Sequence, residues 1–129
     1  PETPIKANQS FTVIVKVTNL ETGNFLDPNT DYYKFSQQLN NDGAIKGHLQ
    51  ITIQKLENLD TPPDPSIFAF FEGLNDKADK SGVLKQEVDK LSPGLYRICT
   101  ISASASHAPV VMPVAKRGAQ DDCVRFTVK

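Results

Sequence analysis

The chain has 129 residues, of which 22% are charged, and its 14 Lys and Arg nearly cancel 15 Asp and Glu. That length suits a single domain with a real core, taken as residues 1–129, and the balanced charge offers no field to draw in nucleic acid or an anionic membrane. No apolar run approaches the roughly 20 residues needed to cross a bilayer, because even the longest uncharged stretch, Thr100 to Ala115, is dominated by Ser, Ala, Val and Pro; membrane insertion is not expected.

The chain starts at Pro1 with no initiator methionine and no apolar targeting segment, which reads as a processed mature form or an excised domain, and a secreted, extracellular protein fits this start best. Asn8-Gln9-Ser10 is an N-glycosylation sequon, so Asn8 is a candidate glycan acceptor. The next segment, Ser10 to Thr18, alternates Phe11, Val13, Val15 and Val17 with Thr12, Ile14 and Lys16, and this period of two predicts a half-buried strand.

About thirty residues follow, Asn19 to Gly47, in which Thr22-Gly23, Asp27-Pro28-Asn29 and Asn40-Asn41-Asp42-Gly43 are turn signals. Within them "DYYKFSQQL" fits either a short strand or one or two helical turns. So long a connection holds short elements of its own or carries function. His48 to Lys55 is the second clear strand, with Leu49, Ile51 and Ile53 on one face and His48, Gln50, Thr52 and Gln54 on a polar face turned to water.

Leu59 to Pro65, "LDTPPDP", is an extended or turning connection, since proline fixes φ and lacks a ladder donor. Phe68, Phe70 and Phe71 come next and read as core filling. Val83 to Leu91 alternates weakly, Pro93-Gly94 turns the chain, and Leu95 to Ser102 is a third clear strand. Pro109 to Ala115 reads as an edge or bulged strand because of its prolines, and Asp122 to Lys129 closes the chain with Val124, Phe126 and Val128 on its core face.

Five to seven short strands between Pro-, Gly- and Asn-rich turns, without helical periodicity, predict an all-β fold. The simplest form is an immunoglobulin- or fibronectin-like two-sheet β-sandwich with one disulfide, with a small barrel as the alternative. If Tyr96 and Ile98 point into the core, Cys99 points away. In the last strand Cys123 is likewise out of phase with Val124, Phe126 and Val128. Both cysteines therefore leave the core face together, as a bridge between neighbouring strands requires. Closing a loop of about 25 residues this way stabilises by roughly 3 kcal/mol. Structural zinc wants four ligands at close spacing, and the two cysteines and two histidines are far apart.

Chemistry is harder to read. His107 sits beside Ser104 and Ser106, but there is no G-x-S-x-G elbow and no orienting third group. His48, His107, Asp121 and Asp122 can meet at one end of a sandwich as an imidazole and carboxylate metal site. Tyr32 and Tyr33, adjacent in the long first connection, are candidates for an exposed sugar-stacking ring. No catalytic residue and no cofactor is assigned.

The segments "GHLQITIQKL", "PSIFAFFEGLN", "GLYRICTISASASHAPV" and "PVAKRGAQDDCVRFTV" together resemble a family of small secreted proteins of mushroom-forming (basidiomycete) fungi, with the Asp-Asp-Cys ending as the most specific part. In that family a second histidine stands where this chain has Gln50 and another where it has Arg117, so the resemblance implies loss of two ligands if those positions hold metal. It implies a fungal extracellular protein, with some mushroom proteins of this size discussed as immunomodulatory or defensive, and it implies no reaction. The combined expectation is a secreted, non-catalytic binding protein for a protein, cell-surface or glycan ligand, using Tyr32, Tyr33 and His107. The alternative is a metal-binding or hydrolytic enzyme built on His48, His107 and Asp121 or Asp122.

Overall fold

The computed structural model describes residues 3–129; Pro1, on which the reading of the chain start rests, lies outside them. The strands are β1 (Phe11–Lys16), β2 (Leu20–Glu21), β3 (Ile45–Leu56), β4 (Phe70–Leu74), β5 (Val83–Val88), β6 (Gly94–Ser104) and β7 (Cys123–Val128), with one short helix, α1 (Pro28–Asp31). Among the described residues no helix is long and apolar enough to cross a membrane.

β3 is the spine. One of its edges pairs antiparallel with β6 from Gly47 opposite Ser104 to Leu56 opposite Leu95. Its other edge carries β4, antiparallel, and the two residues of β2, parallel. β7 pairs with the far edge of β6, which completes a five-stranded sheet, while β1 and β5 form a separate antiparallel pair. The result is an all-β sandwich.

Alternation decides what fills the space between the sheets. Leu49, Ile51 and Ile53 of β3 share a face with Tyr96 and Ile98 of β6 and with Phe126 and Val128 of β7, because residues opposite each other in register point the same way. Phe11, Val13 and Val15 of β1 and Leu84 and Val88 of β5 close over them. Tyr96 stacks on Phe126 with ring centroids 5.6 Å apart, and its hydroxyl donates to the Ser92 carbonyl at 2.9 Å, so a buried phenol keeps a partner. At the turn into β5, Gly82 has a φ of +77° and lies so close to the Val17 carbonyl that a side chain there would collide with it.

The cysteines are bonded. Cys99 and Cys123 stand directly opposite each other in β6 and β7, with an S–S distance of 2.02 Å, on the face away from Tyr96 and Phe126.

Three expectations need correction. Phe70 lies opposite Ile53 and is partly buried against the core, but Phe68 is 55% exposed and Phe71 is 44% exposed. Phe68 precedes the strand, and Phe71, opposite Thr52, takes the outward phase of β4. Pro109 to Ala115 is not a strand: Pro109 makes a single bridge to Ala103, and Val111 exchanges its backbone bonds with the Gln37 side-chain amide instead of a neighbouring strand. Val124 has the core phase of β7 and is nonetheless exposed, at the rim of a cleft it shares with Val13, Val15 and Ile98 between the two sheets.

Candidate functional site

The outward face of β3 does not face water. After β2 the chain passes back over it: the Asn24 N–H donates to the Gly47 carbonyl at 3.1 Å, and the Leu26 N–H to the Ala105 carbonyl at 3.0 Å. Asp27 then caps α1 by accepting from the Asn29 N–H at 2.9 Å. The helix lasts one turn, and the Tyr33 N–H donates to the Ser106 carbonyl at 2.8 Å. A strap from Asn24 to Tyr33 is thus fastened to the start of β3 and to the turn after β6. Gly47 permits the close approach beneath it, since any side chain there would strike the Ala103 carbonyl.

The strap buries His48 completely. The His48 Nδ1 lies 3.0 Å from the Asn24 carbonyl oxygen, which can only accept, so this nitrogen carries the proton and Nε2 holds the lone pair in the neutral ring. His107 occupies a left-handed position, φ +72°, in the turn after β6, and its Nε2 donates to the Leu26 carbonyl at 2.7 Å. Its lone pair is therefore on Nδ1. The two imidazole centroids are 4.8 Å apart, and both rings meet Phe25 edge to face at 5.1 and 4.9 Å. The Gln50 side-chain nitrogen lies 3.5 Å from each lone-pair nitrogen. Burial pushes the His48 imidazolium pKa down; the Asn24 carbonyl opposes this in part, and the nearby His107 adds a smaller push downward.

Above this pair opens a cleft of about 590 Å³. Phe25, Tyr32, Tyr33, Phe71 and His107 supply ring surface, and Gln50 and Asn75 supply amide groups. Tyr32 is 62% exposed and Tyr33 55% exposed, with their centroids 4.5 Å apart, and Tyr32 stacks toward His107 at 6.1 Å.

The family model for the CLU5d N-terminal domain matches residues 1–129. The chain belongs to the CLU5d N-terminal domain family. It is similar to pathogenicity cluster 5 protein d of Colletotrichum graminicola, with 48% identity over 128 residues that cover 96% of this chain and 27% of that protein. The chain thus spans about a quarter of the length of this relative. The expected fungal relationship stands, and this relative belongs to an ascomycete, not to a mushroom-forming fungus.

In this CLU5d N-terminal domain Tyr32, Tyr33, His48 and His107 come together as one site. Asp121 does not join them. Its carboxylate accepts from the Ser102 N–H at 2.8 Å and the Ser102 hydroxyl at 2.7 Å, and Ser102, opposite Leu49, belongs to the other face of the sheet. The Asp122 carboxylate accepts from the Cys123 N–H at 2.9 Å. Among the described residues no three His, Cys, Asp or Glu side chains gather as a metal cluster. The serines near His107 are not engaged by it: the Ser106 hydroxyl donates to the Phe35 carbonyl at 2.6 Å, and the buried Ser104 hydroxyl has no partner. Asn8 is exposed in a turn with φ +58°.

Phe25 was not singled out from the sequence, Phe71 reads there as core filling, and Gln50 was named only as a position where the resembled family has a histidine. Gln50 was legible in part, since it shares the polar phase of β3 with His48. Phe25 and Phe71 are brought in by the strap and by the pairing of β4, which no local pattern announces.

Proposed function

We propose that this domain is a non-catalytic binding module of a secreted fungal protein and that its aromatic cleft receives a cell-surface glycan. The observation that carries the reading is the pairing of the exposed Tyr32 and Tyr33 rings with the amide groups of Gln50 and Asn75 around one open cleft. A pyranose offers an apolar C–H face that stacks on an aromatic ring and a rim of hydroxyls that both donate and accept. A cleft combining ring faces with a few convergent polar groups matches both demands. The rigid base supports the same role, because the strap and the turn holding His107 are tied to the strands by backbone bonds. The disulfide and the pathogenicity-cluster name of the relative support a site of action outside the cell.

A hydrolytic reading finds less support, since both His107 nitrogens face Leu26 and Gln50 and neither meets a serine hydroxyl. The test is a screen of fungal and plant cell-wall oligosaccharides followed by NMR titration of the best binder. Binding that shifts the resonances of Tyr32, Tyr33 and His107 and weakens about fivefold in Tyr32→Ala is the expected result, since a stacked aromatic contact is worth about 1 kcal/mol. Binding unaffected by Tyr32→Ala, or no oligosaccharide bound at millimolar concentration, overturns it.

A further inference from the structure

We propose that His48 Nε2, His107 Nδ1 and the Gln50 side-chain oxygen form a site for one nitrogen-preferring divalent transition metal ion, copper(II) or zinc, at the floor of the cleft. The first argument is the fixing of tautomers. Histidines that ligate metals characteristically donate their other ring N–H to a carbonyl or carboxylate, which orients the ring and raises its basicity. Both imidazoles do so here, to the Asn24 carbonyl at 3.0 Å and the Leu26 carbonyl at 2.7 Å, two acceptors on the same strap.

The second argument is that the freed lone pairs converge and lack a good partner. Both nitrogens point toward the Gln50 amide nitrogen at 3.5 Å, beyond the range of about 2.7–3.2 Å for an effective N–H donor. His48 is fully buried, so water does not make up the deficit. Two lone pairs, one on β3 and one in the turn after β6, aimed at one point and each held there by its own backbone acceptor, are what a metal ion requires and what simple packing against Phe25 does not.

The third argument concerns Gln50. Turning its amide through half a revolution exchanges nitrogen for oxygen at the same place. An oxygen facing two lone pairs is repelled when no cation is present and becomes a third ligand when one is. Gln50 and His107 both line the cleft, so the ion is reachable from solvent. Imidazole nitrogen suits copper, zinc and nickel, with copper(II) the tightest of the divalent series. The metal site does not rest on the glycan reading, since the free domain would bind the ion.

The experiment titrates the intact domain with copper(II) by calorimetry and records the electron paramagnetic resonance spectrum of the complex. One ion per chain, coupling from two imidazole nitrogens, and a loss of about 100-fold or more in affinity in His107→Asn are expected, a larger loss than the 10- to 100-fold that outer partners control. Asparagine is chosen because it tolerates the left-handed backbone at that turn. Binding that survives His107→Asn, or no stoichiometric binding at micromolar copper(II), overturns the proposal. Should the variant fail to fold, zinc titration of the unaltered domain decides: the ¹⁵N resonances of His48 Nε2 and His107 Nδ1 must both move on saturation, and their constancy rejects the site.

Discussion

The two faces of the β3–β6 pair are both largely removed from water, by opposite means. The inner face presents Leu49, Ile51, Ile53, Tyr96 and Ile98 to β1 and β5, with polar groups only where Thr100 and Ser102 meet the Asp121 carboxylate. The outer face presents His48, Gln50, Thr52 and Gln54; loops and not a second sheet bury His48 and Gln54, and Gln50 and Thr52 between them are half-buried. An apolar face needs only contact and is indifferent to the direction of its neighbours. A polar face buried under loops needs a partner for each donor and acceptor, and the loops are held where those partners must be. Gln54 shows this at the end of β3 away from the histidines. Its amide nitrogen donates to the Asp64 and Ile67 carbonyls at 2.9 and 3.0 Å, and its oxygen accepts twice from Arg97, at 2.9 and 3.2 Å.

Truncation on the inner face has the largest expected effect. Ile53→Ala removes a fully buried side chain from the middle of the core and is expected to cost about 3–4 kcal/mol, read as a lower urea midpoint with an unchanged slope. On the outer face, Gln54→Ala leaves two loop carbonyls and the Arg97 guanidinium without their partner. It is expected to cost about 2 kcal/mol and to speed amide exchange across residues 57–69 more than in the sheet, because the bonds lost are those that hold that loop. A uniform increase in exchange would show that the loop is fastened by something other than Gln54.

The inner face was legible in the sequence because period two is a local signal. The phases of Phe11 to Val17, of Leu49 to Ile53 and of the two cysteines all follow from it, and the disulfide then follows from β6 and β7 being neighbours. The outer face was not, because alternation states only that His48 and Gln50 point away from Leu49 and is silent on what lies there. The strap from Asn24 to Tyr33 lies on that face through backbone bonds to residues more than twenty positions distant. For the same reason Asp121, grouped with the histidines on sequence grounds, belongs with Ser102 across the sheet. Tyr32 and Tyr33 were identified by their exposure in a long connection, and the structure brings them beside His107.

His48 allows the two faces to be distinguished by pH alone. The inner face carries no histidine, whereas His48 is buried as the neutral base with its imidazolium pKa pushed down by burial. In the unfolded chain the same ring titrates near about 6.5. As pH falls below that value the unfolded state takes up a proton that the folded state refuses, so stability falls with pH until the lowered folded-state value is reached. The slope is at most about 1.4 kcal/mol per pH unit, and above about pH 7.5 His48 contributes none. The expected outcome is a urea midpoint that drops between pH 7 and 5.5, with most of the drop absent in His48→Gln. Midpoints that fall equally in both proteins would assign the loss to other groups and mean that His48 titrates as it does in water, which burial beneath the strap forbids.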